Sequence, residues 1–307
     1  TYKEIKKMGF SCEEVSKYTS SPEILSGRVK TLHPKIHAGI LSKRKLKAHK
    51  NDLKKNNYNE IDLVIVNFYP FEKTLKQSKN HEKILENIDI GGPTLVRAAA
   101  KNYNYVTIVT SISQYEELIK NLNENKGATS LEFRKKAALE AFGETAYYES
   151  LIFNYFKDIS PKENSKKIIL GLNKFEKLRY GENPHQNGAI YTTSKNLGLE
   201  KLNGKQLSYN NYADIFSALQ ISKSFPNNKG TVIVKHGNPC GASIHKNNNE
   251  SFLMAHKCDP ISSFGGIVSC NFKINRSLAL KLNKLFFEVI IGNGFENDAL
   301  SILKTKK

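Results

Sequence analysis

Residues 27–34 and 88–101 carry the side chains of the first half that are best suited to chemistry. Residues 27–34 read Gly-Arg-Val-Lys-Thr-Leu-His-Pro and combine two cations, a hydroxyl group and an imidazole. Arg28 can donate two parallel hydrogen bonds to a phosphate, and Lys30 supplies a compact positive charge for an oxyanion. Taken alone, a solvated basic loop explains this string more simply.

Residues 88–93 read Ile-Asp-Ile-Gly-Gly-Pro and place a carboxylate just before a predicted helix. The free N–H groups and the dipole at a helix start favour an anionic ligand group. Asp89 precedes this start, and Lys101 lies on the same helix, one turn after Arg97. By themselves, Asp89 is also explained as a helix cap and Lys101 as a surface lysine.

Two further strings stand in the second half. Residues 178–186 contain Arg179 and Tyr180, a cation and an aromatic ring that can hold a phosphorylated base, although an ordinary loop with Tyr180 in the core is the alternative. Residues 235–241 read Lys-His-Gly-Asn-Pro-Cys-Gly. Neighbouring side chains of a strand point to opposite faces, so Lys235 and His236 can share an acid–base site only where the strand ends. Gly237 and Pro239 predict that the strand ends at this point.

The apolar pattern predicts the elements that position these strings. The runs 60–69 and 105–110 predict parallel strands, and the helix at 94–101, with Pro93 at its first position, joins them into a βαβ unit. Helices are predicted at 113–124 and 130–156. For the second half we predict strands at 231–235 and 265–270 and a helix at 278–289. The residues of the 130–156 helix predicted to face the core are Phe133, Ala137, Ala141, Ala146 and Tyr147.

Length and composition predict a folded protein with two domains. The chain has 307 residues, of which 39% are hydrophobic and 25% charged. We expect domains at 1–160 and 168–307, joined by a linker at 157–167 that contains Pro161 and many charges. The first residue is threonine, so we expect a piece of a longer protein.

The net charge of +18 raises the possibility of nucleic-acid binding, but the lysines are spread along the chain rather than clustered. We therefore expect no nucleic-acid partner. No apolar run has the length that crosses a bilayer, which favours a cytoplasmic protein with no membrane partner. The four cysteines are widely spaced and predict free thiols rather than disulfides or a paired zinc site.

Taken together, the strings of the first half resemble the inosine monophosphate (IMP) cyclohydrolase domain of the bifunctional purine-biosynthesis enzymes. The matching strings are Gly-Arg-Val-Lys-Thr-Leu-His-Pro, Asn-Phe-Tyr-Pro-Phe, Ile-Asp-Ile-Gly-Gly and Arg-Ala-Ala-Ala-Lys-Asn. The resemblance implies a methylglyoxal-synthase-like, doubly wound α/β fold and ring closure of formyl-AICAR to IMP. It implies catalytic roles for Lys30, Tyr69, Asp89 and Lys101, and binding of the nucleotide by Arg28, Thr31, Asn67, Gly91 and Gly92.

The strings of the second half, with Leu-Asn-Gly-Lys at 202–205 and Cys-Asp-Pro-Ile-Ser-Ser-Phe-Gly-Gly at 258–266, resemble the AICAR transformylase domain. That resemblance implies part of a cytidine-deaminase-like α/β fold, with 10-formyltetrahydrofolate as formyl donor. It implies His236 as the base on the 5-amino group of AICAR, with Lys235 assisting. Arg179, Tyr180, Asn203 and Asp259 would position the nucleotide, and the complete enzyme would be a homodimer.

Zinc-dependent deamination needs an H-x-E and a P-C-x-x-C sequence, and Pro239-Cys240 is followed by Gly-Ala-Ser. We therefore expect no catalytic metal. The family pattern also extends beyond both ends, with a phosphate-binding strand upstream and a further lobe downstream. From this we expect the chain alone to be deficient in formyl transfer.

Two other functions remain open at this point. Methylglyoxal-synthase-like domains also serve as nucleotide-binding regulatory modules, although such a sensor has no need of the proton-transfer set Lys30, Asp89 and Lys101. An RNA-binding accessory factor would show clustered cations and exposed stacking aromatic residues, which the sequence lacks.

Overall fold

The computed structural model describes residues 1–160 and 165–306. Internal contacts divide the chain into two units, Thr1–Gly171 and Leu172–Lys307. Both units combine helices and strands, so the predicted α/β class is confirmed. The predicted linker at 157–167 is described only in part, because residues 161–164 lie outside the described residues.

The described part of the first unit is mostly helical. Its strands are β1 (Leu63–Ile65) and β2 (Thr107–Val109), and its α-helices are α1 (Tyr2–Lys7), α2 (Val15–Thr19), α3 (Pro34–Leu41), α4 (Lys47–Asn56), α5 (Phe71–Gln77), α6 (His81–Glu86), α7 (Gly91–Lys101), α8 (Tyr115–Glu124) and α9 (Leu131–Ile159). Short 3₁₀ turns occupy Leu25–Gly27 and Ile112–Gln114.

Strands β1 and β2 pair in parallel, with Val64 opposite Ile108. The predicted strands are therefore present, but β1 covers only three of the residues 60–69. It is also less buried than its apolar run predicts, since Leu63 and Ile65 are 38% and 47% exposed. Strand β2 is buried along its whole length, and α7 completes the predicted βαβ unit.

Helix α7 begins at Gly91, so Pro93 is its third residue and not its first as predicted. A proline is still tolerated there, because the N–H groups of the first turn have no partner within the helix. Val96, Ala99 and Ala100 are fully buried and pack in one core cluster with Ala137 and Ala141 of α9. The small alanine side chains suit a close approach of the two helices.

Helix α9 begins where the sequence predicts, because the Ser130 side chain caps it by accepting a hydrogen bond from the Phe133 N–H at 3.1 Å. Its core face differs from the prediction in the last third. Ala146 is exposed and Tyr147 half-buried, whereas Thr145 and Tyr148 are buried. The buried positions are thus 145 and 148 in place of 146 and 147, and Tyr148 is available to the candidate site described below.

The second unit is built on two sheets. Its strands are β3 (Asn173–Lys177), β4 (Ala189–Thr192), β5 (Gly230–Lys235), β6 (Asn238–Ile244), β7 (Ile267–Cys270) and β8 (Val289–Gly292), and its described helices are α10 (Tyr209–Ser224), α11 (Asn248–Cys258), α12 (Arg276–Asn283) and α13 (Asn297–Lys304). Strands β3 and β4 form an antiparallel pair. The larger sheet has the order β6-β5-β7-β8, with β7 and β8 parallel and the other pairs antiparallel.

The predicted strands at 231–235 and 265–270 correspond to β5 and β7, but two other predictions for this unit are wrong. The helix expected at 278–289 ends at Asn283, and Val289 begins β8. Strand β5 does end at Lys235 and Gly237 lies in the turn that follows, as predicted, but Pro239 takes no part in that ending, because it lies within β6 opposite Val234. Strand β6 is at the edge of the described sheet, where a residue without an N–H is tolerated.

The four cysteines are free, as predicted. Burial raises the pKa of Cys270 to about 12, so this thiol stays protonated and unreactive at neutral pH. No helix among the described residues is long and apolar enough to cross a membrane.

The side chain of Asn271 links the start of β5 to α10 by hydrogen bonds, and its replacement tests how much these bonds stabilise the second unit. Its Oδ1 accepts hydrogen bonds from Lys229 N at 3.0 Å and Gly230 N at 2.8 Å, and its Nδ2 donates to Ser222 O at 3.1 Å. Replacing it by alanine leaves these backbone groups unpaired at a cost of about 1–3 kcal/mol for each that stays buried. We expect Asn271→Ala to lower the melting temperature of the second unit by several degrees in calorimetry.

The matched control is Asn173→Ala, at an exposed position of β3. Its effect should stay within about 0.5 kcal/mol. Equal melting temperatures for the two variants would contradict this account of Asn271.

Candidate active sites

The start of α7 gathers several of the residues singled out in the first half. Asp89 Oδ1 accepts a hydrogen bond from Gly92 N at 2.7 Å, so its carboxylate lies over the first turn of the helix. A Cβ at Gly92 would stand 2.4 Å from Asp89 Oδ2, and a Cβ at Gly91 would stand 2.7 Å from Thr31 Oγ1. The two glycines thus allow a carboxylate and a hydroxyl group to approach the helix start.

Tyr148 of α9 holds the segment that carries Asp89. Its hydroxyl accepts from Asp89 N at 2.7 Å and donates to Asn87 O at 3.2 Å. Burial is the main cause of the raised pKa of Tyr148; the hydrogen bond from the Asp89 N–H opposes the rise, and the charge of the Asp89 carboxylate adds to it. Because Tyr148 keeps its proton at neutral pH, it can serve as the donor to Asn87 while it accepts from Asp89.

Lys30 stands in a loop beside this cluster. Its Nζ donates to Glu23 Oε2 at 2.8 Å, and this hydrogen bond is the main cause of the raised pKa of Lys30, to which Tyr69 contributes as well. Tyr69 is 56% exposed. Lys30 is next to Thr31 in the chain, so its backbone lies beside the start of α7.

The other predicted residues of the first half make no hydrogen bond to this cluster within the described residues. Arg28 is paired at 2.7 Å with Glu86, and both side chains are exposed. Asn67 Nδ2 donates to the hydroxyl of Tyr115 at 3.4 Å. Lys101 is the last residue of α7, ~15 Å along the helix axis from Gly91, and its side chain is exposed. The catalytic role of Lys101 implied by the resemblance stays a prediction, at the opposite end of the helix from Asp89.

In the second unit, α10 connects the two predicted strings. Its first residue, Tyr209, donates its N–H to Tyr180 O at 3.2 Å, and Leu207 O accepts from Arg179 N at 2.9 Å. The Arg179 guanidinium lies 4.8 Å from the centroid of the Tyr180 ring, and its Nη2 lies 3.0 Å from the Tyr180 hydroxyl. Tyr180 is half-buried, so the alternative of a core tyrosine holds only in part.

The same helix reaches the Lys235–His236 string through Asp214. Asp214 Oδ2 accepts from His236 N at 3.1 Å and Oδ1 from Gly237 N at 2.6 Å. Lys235 ends β5 and donates from Nζ to Phe264 O at 2.7 Å. The Lys235–His236 string is therefore held by hydrogen bonds to Asp214 of α10 and to the backbone of Phe264.

Asp259 is a further predicted residue of this candidate site. It follows α11, and the hydrogen bonds of the Ser262 side chain and backbone hold the pKa of Asp259 below its usual value. Burial is the main cause of the raised pKa of Cys240, to which the charge of Asp259 adds, whereas Lys235 opposes it. Cys240, Asp259 and Lys235 are thus neighbours. Asn203 lies in an exposed loop and has no hydrogen bond to the described residues.

The side chains of neither region form a metal-binding group. Within residues 1–160 and 165–306, no three or more His, Cys, Asp and Glu residues lie close enough together to hold an ion. What the two regions offer is cations, carboxylates, a histidine and hydroxyl groups around helix and strand ends.

Comparison with known families covers almost the whole chain. Residues 1–94 match the model of the MGS-like domain, and residues 99–307 match that of the AICARFT/IMPCHase bienzyme. The chain belongs to the AICARFT/IMPCHase bienzyme family. The family resemblance inferred from the motifs is confirmed by these matches.

Several curated relatives in this bienzyme family carry the name "Bifunctional purine biosynthesis protein PurH". The protein of Caldicellulosiruptor saccharolyticus is 44% identical over 316 residues, and that of Aquifex aeolicus is 43% identical over 312 residues. Each match covers 100% of this chain and 61% of the relative, so the chain spans about three fifths of their length. A solved structure titled "Crystal structure of ForH" overlaps 50% of this chain and 81% of that chain, with 28% identity and a TM-score of 0.45.

Sequence reasoning missed three residues that shape these regions of the bienzyme chain. They are Tyr148, which holds the Asp89 segment, Glu23, which pairs with Lys30, and Asp214, which binds the His236 turn. The partners of Tyr148 and Asp214 lie far away along the chain. For Glu23 a signal was present, since it stands seven residues before Lys30 on the same loop.

Glycine substitutions test the geometry at the start of α7. In Gly91→Ala the added methyl group would collide with Thr31 Oγ1, so we expect a lower melting temperature and displaced Thr31 resonances. Gly143→Ala in α9 is the matched control, because its Cβ would meet no atom within 4 Å. That variant should gain about 0.5–1 kcal/mol from helix propensity. A stabilised Gly91→Ala protein with unmoved Thr31 would refute the close approach.

Proposed function

We propose that the first unit closes the ring of formyl-AICAR to IMP, and that the second unit takes part in formyl transfer to AICAR from 10-formyltetrahydrofolate. Membership of the bienzyme family and the named PurH relatives support both reactions. The single observation that carries the proposal is the meeting of Thr31, Asp89 and the first turn of α7, with Lys30 beside them.

Ring closure requires the carboxamide nitrogen to lose a proton and bond to the formyl carbon. The formyl oxygen gains the negative charge and takes up this proton to become a hydroxyl group. The hydroxyl group then leaves as water with a second proton, while the 5-formamido nitrogen loses its own proton and forms the C=N bond of the new ring. Lys30 is suited to stabilising that oxygen, since an oriented cation acts where charge develops. Its pairing with Glu23 is no obstacle, because both side chains are about two fifths exposed and such surface pairs contribute only ~0–1 kcal/mol.

Asp89 is suited to the proton transfer. One of its oxygens accepts from Gly92 N, which fixes the carboxylate and leaves Oδ2 for the substrate nitrogen. Tyr69 is exposed on the same side and can orient the carboxamide, while Thr31, Gly91 and Gly92 hold nucleotide oxygens. Arg28 and Asn67 are proposed as further contacts of the nucleotide. Lys101 is also proposed as a catalytic residue of ring closure, but none of the proton or charge transfers described above is assigned to it.

Formyl transfer requires the 5-amino group of AICAR to lose a proton as its nitrogen bonds to the formyl carbon. The bond from that carbon to N10 of the folate breaks, and N10 takes up a proton. We propose His236 as the base and Lys235 as the cation that stabilises the oxyanion between the two steps. Arg179, Tyr180, Asn203 and Asp259 are proposed to hold the nucleotide. A cytoplasmic homodimer belongs to the same proposal.

The ring-closure proposal is tested by the absorbance change as formyl-AICAR is converted to IMP. We expect Lys30→Ala to lower kcat by about 10²–10³-fold, the usual cost of losing one oriented group that stabilises an oxyanion. The matched control is Lys54→Ala on α4, an exposed lysine outside the site, which should keep full activity. Equal rates for the two variants would remove Lys30 from the mechanism.

A chain that binds IMP but closes no ring would favour the other function considered, a nucleotide-binding regulatory module. The match of residues 1–94 to the MGS-like domain supports that alternative. Calorimetric titration with IMP beside the ring-closure assay separates the two functions.

The formyl-transfer proposal is tested in the full-length protein by AICAR-dependent consumption of 10-formyltetrahydrofolate. We expect His236→Ala to lower kcat by about 10²–10⁴-fold, the range for loss of a general base. His245→Ala is the matched control, since that ring contacts only the backbone of Asn247 among the described residues. An active His236→Ala enzyme would overturn the assignment.

A further inference from the structure

His236 occupies an unusual backbone position. It forms the turn between β5 and β6 together with Gly237, and the flanking residues Lys235 and Asn238 are paired. Both turn residues have positive φ, 53° for His236 and 75° for Gly237. Two-residue hairpin turns of this kind favour asparagine or glycine at the first position, because a larger side chain is disfavoured in left-handed backbone. A histidine there needs compensation.

Asp214 supplies that compensation. Its two carboxylate oxygens accept hydrogen bonds from consecutive backbone groups, His236 N at 3.1 Å and Gly237 N at 2.6 Å. Hydrogen bonds to a charged acceptor are stronger than those between neutral groups. On the other side of His236, the Asn238 side chain donates to His236 O at 3.1 Å. The backbone of His236 is therefore held from both directions.

The clamp is anchored in the core of the second unit. Asp214 is half-buried on α10, and its neighbours Ile215 and Ala218 on that helix are 3% and 0% exposed. The imidazole of His236, by contrast, is exposed and has no hydrogen bond within the described residues. Only the backbone and the side-chain torsions therefore determine where the ring stands.

We propose that Asp214 is a positioning residue, which holds the His236–Gly237 turn in its left-handed conformation and thereby sets the position of the His236 imidazole. Helix α10 also sets the spacing to the proposed nucleotide contacts. Its first residue, Tyr209, binds Tyr180 O, and Asp214 follows ~7.5 Å along the helix axis. The catalytic part of this inference depends on the proposed role of His236, whereas the clamp itself does not.

The clamp is tested first by amide hydrogen exchange of the ¹⁵N-labelled chain. We expect the His236 and Gly237 amides to be protected, and Asp214→Ala to speed their exchange by at least about tenfold, since each loses an acceptor. Asp214→Asn offers a single acceptor oxygen, so we expect it to keep one amide protected and release the other. Asp298→Ala, at an exposed position of α13, is the matched control and should change neither.

Exchange at Val232 and Ile233 of the buried strand β5 reports whether each variant is folded. If Asp214→Ala does not fold, the asparagine variant decides, because it differs from aspartate in one atom. Unprotected His236 and Gly237 amides in the unaltered chain, or equal protection in the folded Asp214 variants, would overturn the clamp.

Formyl transfer in the full-length protein then separates positioning from general stability. We expect Asp214→Ala to lower kcat by about tenfold or more while KM for AICAR changes by less than about threefold. In the double variant with His236→Ala, loss of Asp214 should cause no further decrease, because its effect acts through that ring. A full additional decrease in the double variant would overturn the positioning role.

The outcomes also distinguish this inference from the proposed function. An impaired His236→Ala enzyme together with a fully active Asp214→Ala enzyme overturns the positioning role alone. Full activity in both variants overturns the catalytic role of His236. In that case the amide-exchange experiment alone decides whether Asp214 holds the His236–Gly237 turn.

Discussion

A backbone N–H group that has no partner within its helix or strand needs another acceptor. In both units of this chain a carboxylate close to the proposed catalytic residues provides it. Asp89 accepts from Gly92 N at the start of α7, and Asp214 accepts from two amides at the end of β5. Gly92 is buried, where an N–H group without a partner is costly, whereas the exposed amides of His236 and Gly237 exchange water for a charged acceptor. These contacts also fix the directions in which the neighbouring side chains leave the backbone.

The two carboxylates differ in how many of their oxygens accept backbone hydrogen bonds. Asp89 uses one oxygen for the helix and keeps the other for a ligand, so a structural cap and a reactive group can be the same residue. Asp214 uses both oxygens, and what it leaves free is the imidazole of another residue. The hydrogen bond to Gly92 N is therefore compatible with the proposed catalytic role of Asp89. A cap makes the carboxylate rigid, which reduces the reorganisation needed during a reaction.

Local sequence predicted what depends on neighbours within a few residues. The strands β1, β2, β5 and β7, the helix α7 and the start of α9 follow from apolar periodicity and capping chemistry. The helix predicted at 278–289 failed because the short apolar run after Asn283 suits a strand as well as a helix.

The contacts that complete the candidate sites could not be read from local pattern, because they join distant residues. Tyr148 meets Asp89 across 59 positions of the chain, and the burial of position 148 rather than 147 of α9 decides whether it does so. Asp214 meets His236 across 22 positions. Nothing in the helical string Ala-Asp-Ile around Asp214 indicates a hairpin turn as its partner.

Backbone in a left-handed conformation occurs close to proposed catalytic residues in both units. Non-glycine residues with positive φ are uncommon and cost of order 1–3 kcal/mol each, yet Leu25 and Ser26 adopt them shortly before Lys30, as His236 does beside Lys235. A sequence selected only for stability would place glycine or asparagine at these turns. The proposed catalytic role would explain the histidine, because replacing it would relax the backbone but remove the imidazole. The two turn amides donate hydrogen bonds to Asp214, so under that proposal one contact both stabilises the left-handed turn and positions the imidazole of His236.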